Sequence, residues 1–364
     1  MRGWLFYDLD NITMENINTI IDDDLGGIPS RNTDQGIVIR KSTGMYTVLA
    51  SGRQIPCAIS NRLRKRLIYP TADPNSLRPV VREVKEIEHV DPVAIGDEVL
   101  WLDAKDGSGM ILEILPRRSV FTRRTSVPMP GAHPFEQVIV ANVDQVAPVF
   151  AAASPQPKWN MLDRYLVSAE SLDLPSVIII NKIDLLGGDG ERKKELLEAV
   201  GEYQRIGYPV VLVSAATGEG LEELREMLSG KLSVLVGKSG VGKTSLLNTL
   251  QPGLGLRVNA VSQVTGKGKH TTTHLEMFSL SGNGFNGAGA IVDTPGMREF
   301  GPWNVDEDDL ALFFPEMRPF VGRCKFGLDC RHNEEPGCAI RKAVLAGQVS
   351  PRRYSNLLTM QESG

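Results

Sequence analysis

The chain has 364 residues, 41% apolar and 23% charged, proportions that exclude a largely disordered protein and suggest two or three domains with cores of their own. No apolar run approaches the roughly 18–20 residues that span a bilayer, and the start has neither the basic nor the apolar part of a signal peptide, so a cytoplasmic protein is the expectation. The formal charge of −4 is uneven: −5 over residues 1–36, +5 over 37–130, −3 over 131–300, −5 over 301–316 and +4 over 317–364. Two positive stretches flanking an acidic middle suit a chain that grips a polyanion at both ends, with segmental scatter as the competing explanation.

Residues 1–35 are acidic and lack periodicity, which marks an extension. Short strands are predicted at Gly36–Lys41, Met45–Ala50, Gln54–Ser60, Glu98–Asp103 and Met110–Leu115, with Thr43-Gly44, Ser51-Gly52 and Asp106-Gly107 as turns. Five strands in about 80 residues fit a small barrel such as an OB-fold, a common platform for nucleic acid. Arg62, Arg64, Lys65 and Arg66, then Arg117, Arg118, Arg123 and Arg124, give this unit two basic stretches suited either to phosphate contact or to a solvated face.

From about residue 130 the pattern alternates strand and helix. Strands are expected at Gln137–Ala153 (with its exit loop), Val177–Ile180, Val210–Ser214, Leu232–Val236, Leu275–Leu280 and Ala290–Val292. Helices are expected at Asn160–Leu172, Glu191–Arg205, Leu221–Leu228 and Lys243–Leu250. Such alternation implies a parallel sheet covered on both faces. After residue 301 come short helices around a cysteine cluster. Arg352 and Arg353 near the end carry little information.

Gly237-Lys238-Ser239-Gly240-Val241-Gly242-Lys243-Thr244, followed by Ser245, fits Gly-x4-Gly-Lys-Ser/Thr between an apolar strand and a helix. Glycines there let backbone N–H groups converge on phosphate oxygens, and the helix dipole favours the anion. Lys243 is positioned for the β and γ phosphates and Thr244 for Mg²⁺.

Asn181-Lys182-Ile183-Asp184 follows the Ile-rich strand. A carboxylate there accepts from guanine N1–H and the 2-amino group, donors that adenine lacks, so a buried Asp184 selects guanine. Asn181 holds the loop and reaches the purine edge, Lys182 lies along the ring, and Ser214-Ala215 supplies backbone amides near the base.

Asp293-Thr294-Pro295-Gly296 is an Asp-x-x-Gly pattern, with Asp293 on Mg²⁺ through water and the Gly296 amide on the γ phosphate. In the run Gly266–His274, Thr272 or Thr273 is expected to complete the metal shell. Met297 stands where Ras-type enzymes carry a water-orienting glutamine, which predicts slow intrinsic hydrolysis. His270 is the candidate for positioning the water, a phosphate contact or an ordinary loop histidine being the alternatives.

These motifs run in permuted order: Asn-Lys-x-Asp and Ser-Ala precede the phosphate loop. A sheet reopened at a surface loop tolerates this. The break falls just after Asp293–Gly296, so the nucleotide-sensing segment leads into the carboxy-terminal unit. Finally, Cys324-x5-Cys330-x-His332-x5-Cys338 offers three thiolates and an imidazole, a closed set for structural Zn²⁺, with buried free cysteines as the alternative. Cys57 reads as a packed strand residue.

With the permuted order, the cysteine cluster and the barrel in front, the chain resembles the family of ribosome small-subunit-dependent GTPases, RsgA, from about Gly36 to the end. The strongest stretches are Ala141–Gln145, Leu162–Leu166, Asn181–Asp184, Gly237–Ser245, Gly266–Thr273, Asp293–Gly296 and Cys324–Cys338. Beyond the acidic extension at 1–35, the resemblance implies a multidomain α/β protein: an OB-fold β-barrel at 36–124, a circularly permuted P-loop GTPase domain at 125–300 and a zinc-binding helical domain at 301–364. It also implies GTP/GDP, Mg²⁺ and one structural Zn²⁺, and hydrolysis stimulated by the small ribosomal subunit in late maturation. The implied partners are that subunit, its rRNA and other assembly factors, with no membrane and a monomeric chain. An RNA-binding module with a structural nucleotide, and a protein-directed switch without RNA, are the readings from other classes.

Overall fold

The protein is represented by a computed structural model, which describes residues 33–42, 44–61, 63, 93–124, 136–187, 190–256, 275–282, 284–294 and 305–362.

The barrel strands are β1 (Thr33–Ser42), β2 (Met45–Ala50), β3 (Arg53–Ile59), β4 (Glu98–Asp103) and β5 (Gly109–Ile114). β1, β2 and β3 form an antiparallel meander; β3 runs parallel to β5, β5 antiparallel to β4, and β4 returns to β1. Alternate residues point inward, as the period of two requires. Val38, Tyr46, Val48, Cys57, Val99, Trp101 and Ile111 make the core. Gly109 must be glycine, because a Cβ there would press on the Trp101 ring and Cys57 Sγ. Cys57 is buried in this core, and burial, with Asp103 adding, pushes its thiol pKa up to about 11.

The expected strand over Gln137–Ala153 is two strands. β7 (Glu136–Ala141) pairs with β6 (Val120–Arg124), and β8 (Gln145–Ala151) starts the main sheet. The break falls at Asn142, whose φ of 57° its short amide side chain tolerates. Asn142 Nδ2 donates to the Gly96 carbonyl and its Oδ1 accepts from the Arg118 amide, at 2.9 Å each. The corner therefore ties the barrel to the next domain.

Two arginines of the expected phosphate patch are engaged internally. Arg117 grips the fully buried Asp97 through both carboxylate oxygens, at 2.7 and 2.8 Å. Arg118 faces Asp144 at 3.4 Å. Arg62, Arg64, Lys65 and Arg66, and the side chains of Arg123 and Arg124, lie outside the described residues.

The second domain adds β9 (Ile178–Asn181), β10 (Val210–Leu212), β11 (Leu232–Val236), β12 (Glu276–Leu280) and β13 (Gly289–Asp293). Their order is β10-β9-β8-β11-β13-β12, parallel except for β12. Helices α1 (Trp159–Glu170) and α2 (Gly190–Ile206) cover one face, and α3 (Leu221–Leu228) and α4 (Lys243–Leu250) the other. Leu162, Tyr165, Leu166 and Ala169 of α1 recur at helical spacing, which forms the buried stripe. At Arg40–Glu276, β1 pairs with β12, so barrel and sheet are continuous.

The carboxy-terminal unit is three 3-10 helices (Glu307–Phe313, Arg318–Phe320 and Gly327–Asp329), α5 (Ala339–Leu345) and α6 (Pro351–Glu362) around the cysteine cluster. It packs on α1 through Val167 and a buried charge cluster. Arg353 is fully buried, bonds Asp163 of α1 at 2.6 Å and Glu316 at 2.5 and 3.0 Å, and stacks on Tyr203 and Phe314. Arg352 bonds Glu202 and Tyr203 of α2 and lies over Trp159. Among the described residues no helix is long and apolar enough to cross a membrane.

Candidate functional site

β11 ends at Val236 and α4 begins at Lys243, with Gly237–Gly242 between them. The buried Val241 anchors this loop to the core, while Lys238 and Ser239 stand exposed at its crest. Gly242 has φ 94°, and a Cβ on it would collide with Asn181 Nδ2; a Cβ on Gly237 would strike the Val149 carbonyl. The glycine spacing is therefore a steric requirement of this loop on its neighbours. Thr244 and Ser245 lie in the first turn of α4, where backbone N–H groups lack helical acceptors and attract anions. Lys243 Nζ folds across the loop to the Gly237 carbonyl at 2.7 Å. Burial lowers the Lys243 pKa, with Asp293 acting in the opposite sense.

Asp293 ends β13 next to β11. Its Oδ1 is buried and has no hydrogen-bond partner among the described residues. Burial raises the carboxyl pKa, and Lys243 and the Thr294 amide offset this in part. An unpartnered carboxylate oxygen beside Lys243 fits a hard cation at a phosphate site. Thr294, which sequence reasoning passed over, is a brace: its hydroxyl donates to the Leu235 carbonyl at 2.8 Å.

Asn181 is the keystone between loops. Buried at the end of β9, it donates through Nδ2 to the Val241 carbonyl at 3.0 Å. Its Oδ1 accepts from Lys182 N at 2.8 Å and Ala215 N at 3.2 Å. These contacts among the described residues are internal, so the side chain binds three loops together. The Ala215 amide, expected to face the base, is spent on Asn181. Lys182 has φ 63°, and its Nζ donates to the Ser154 and Gly240 carbonyls. Ile183 opens the 3-10 turn Ile183–Leu186. Asp184 is exposed, where the guanine argument had it buried, and accepts from the Ser214 hydroxyl at 2.5 Å. A base laid on Lys182 would itself provide the burial.

His270, Thr272, Thr273, Gly296 and Met297 lie outside the described residues.

The ligand atoms of Cys324, Cys330, His332 and Cys338 lie within 4.8 Å of one another, all four residues buried. His332 Nδ1 is 3.5 Å from Cys324 Sγ and 3.6 Å from Cys338 Sγ, and the two sulfurs are 3.9 Å apart. Tetrahedral Zn²⁺ bonds of about 2.3 Å to sulfur and 2.0–2.1 Å to nitrogen imply edges of about 3.8 and 3.6 Å, so the donors fit that ion. The amides of Ala339 and Arg341 point at Cys324 and Cys338 sulfur, which supports thiolates. Tyr354 of α6 donates to the His332 carbonyl at 2.6 Å and fixes the ligand's backbone. Without metal, burial pushes the Cys330 thiol up to about 12 and lowers the His332 pKa.

The RsgA GTPase family model matches residues 114–303. The chain belongs to the RsgA GTPase family. Similar proteins from several bacteria carry the name small ribosomal subunit biogenesis GTPase RsgA. The Gemmatimonas aurantiaca protein is 45% identical over 74% of this chain and 84% of its own length. The Bacteroides fragilis protein is 35% identical over 90% of this chain and 96% of its own. Among solved structures, YjeQ from Thermotoga maritima aligns with a TM-score of 0.66 at 31% identity, covering 91% of this chain and 98% of that one. YloQ, described as a circularly permuted GTPase, aligns at 0.62 and 27%, over 93% and 96%. The permuted order, the barrel and the Cys₃His cluster are thus features of one fold.

Proposed function

We propose that this RsgA family member hydrolyses GTP to GDP and phosphate when it meets the small ribosomal subunit, and acts there late in assembly as a checkpoint or factor-release GTPase. The observation that carries this reading is the convergence, at one end of the sheet, of the Gly237–Thr244 loop, the exposed Asp184 and the unpartnered Asp293 oxygen. The relatives' name, small ribosomal subunit biogenesis GTPase, supplies the partner.

Gly237–Ser245 wraps the phosphates through backbone amides, Lys243 swings to the β and γ phosphates, and Asp184 reads guanine with Ser214 holding its carboxylate. Thr244, Asp293 and Thr272 or Thr273 hold Mg²⁺, which neutralises charge on the phosphate oxygens when bound. The Gly296 amide senses the γ phosphate. Met297 offers no group to orient water, so intrinsic turnover is slow and His270, with the subunit, completes the site. Zn²⁺ on Cys324, Cys330, His332 and Cys338 is structural. The chain works as a cytoplasmic monomer that contacts rRNA, with other assembly factors acting on the same particle.

The test is GTP turnover with and without purified small subunits. A large stimulation supports the reading. Absence of turnover in both conditions would leave an RNA-binding module with a structural nucleotide, and stimulation by a protein alone would leave a protein-directed switch.

A further inference from the structure

β12 joins the barrel to the nucleotide domain, and Glu276 is the residue at the join. It lies opposite Arg40 of β1 on one side and opposite Asp293 of β13 on the other. Residues directly opposed in an antiparallel ladder share a face, with Cβ atoms about 5 Å apart. Arg40, Glu276 and Asp293 therefore form one row across the junction. Arg40 Nε donates to Glu276 Oε1 at 3.0 Å, and its terminal nitrogen contacts the same oxygen. Two carboxylates directly opposed repel each other. Here one is paired by an arginine from the neighbouring domain, while the other keeps an unpartnered oxygen.

We propose that Arg40 is a positioning residue for magnesium-dependent nucleotide binding: through Glu276 it sets the negative charge beside Asp293, so the barrel tunes the cation requirement of the nucleotide site. The proposal rests on the reading of Asp293 as the magnesium carboxylate. With Arg40 in place the Arg40–Glu276 pair is close to neutral. Without it, Glu276 adds an uncompensated negative charge next to the cation. Without Glu276, Arg40 leaves a positive one. A unit charge roughly 8 Å from a divalent ion, at the water-like dielectric of these part-exposed side chains, shifts cation affinity roughly three- to tenfold.

The experiment uses the full chain and a fluorescently labelled GDP, titrated with MgCl₂ at low ionic strength, with thermal melts in parallel. Arg40→Gln should lower the magnesium midpoint roughly three- to tenfold, and Glu276→Gln should raise it by a similar factor. The swap Arg40→Glu with Glu276→Arg separates charge from clamping. It rebuilds the pair at the junction but brings its cation opposite Asp293 and moves its anion away, so its midpoint should rise above the parent's by less than that of Glu276→Gln. A swap that melts and titrates like the parent overturns the proposal, as do midpoints within twofold of the parent in all three variants. If Arg40→Gln does not fold, Glu276→Gln and the swap decide alone. Asp293→Asn is the control. Loss of magnesium dependence there upholds the underlying reading whatever the other variants do; unchanged dependence removes that reading and the proposal with it.

Discussion

Arg353 gives the largest single-residue effect expected of this fold. The guanidinium is fully buried, bonded to Asp163 on α1 and to Glu316 in the carboxy-terminal unit, and sandwiched by Tyr203 and Phe314. Burial opposes the charge, but Asp163 and Glu316 outweigh it and hold the Arg353 pKa above its ordinary value. Arg353→Met keeps volume and removes the charge. Asp163 then retains only Tyr203 and Asn356, and Glu316 loses both of its contacts to the fork. Breaking a buried pair from one side costs about 3–5 kcal/mol, because the remaining carboxylates stay desolvated. For a cooperative unit of 150–250 residues, each kcal/mol is worth roughly 2–4 °C, so the calorimetric midpoint should fall by about 6–20 °C. The triple variant Arg353→Met, Asp163→Asn, Glu316→Gln removes all three charges and should regain most of that loss. Arg353→Lys should fall between, since a point ammonium cannot serve two carboxylates as a planar fork does. An Arg353→Met protein melting within about 2 °C of the parent would refute the view that this cluster bolts the two domains together.

Two further outcomes follow from the site. Asn181→Ala strips one buried side chain from three loops and orphans the Val241 carbonyl and the Lys182 and Ala215 amides; labelled-GDP binding should weaken by about 2–3 kcal/mol, roughly thirty- to 150-fold, and a loss under threefold would contradict the keystone role. At the cysteine cluster the Cys330 and Cys338 thiols are held protonated by burial, whereas the lowered His332 pKa leaves its imidazole neutral near pH 7. Zn²⁺ must therefore displace thiol protons but none from His332, so apparent zinc affinity should rise at least about a hundredfold per pH unit between pH 6.5 and 7.5; chelator competition measures it, and a pH-independent affinity would exclude thiolate ligation.

Features written in contiguous residues were legible in the sequence, and those that depend on distant partners were not. The Gly237–Thr244 loop, the bounds of α3, β11 and α4, and the Cys₃His cluster each follow from local spacing, because the physics that makes them acts over a few residues. Asn142 broke an expected strand because its side chain answers to Gly96, 46 residues earlier. The arginines were harder. Arg117 is consumed by Asp97, 20 residues away, and Arg353 by Asp163, 190 away. Segmental charge counts both as surface; Arg117 and Asp97 cancel within one stretch, but Arg353 is paired outside its own, so part of the positive balance at the carboxy-terminal end is internal structure. One signal was available: Asp163 sits within the apolar stripe of α1, and a carboxylate there needs a cation from elsewhere.

The buried arginine also changes what the permuted order can accomplish. Reopening the sheet after Asp293 sends the chain out of the nucleotide site into the carboxy-terminal unit, and on its own this would leave that unit on a free tether. Instead both ends of the connection are fixed to the same domain. Thr294 is held to the Leu235 carbonyl of β11, and the unit beyond residue 305 is locked to α1 by Arg353 and to α2 by Arg352. Residues 295–304 thus span two anchored points. Arg353→Met, which loosens the far anchor, should therefore narrow the difference in protease sensitivity of the carboxy-terminal unit between the GDP-bound protein and one holding a GTP analogue, and an unchanged difference would contradict this route.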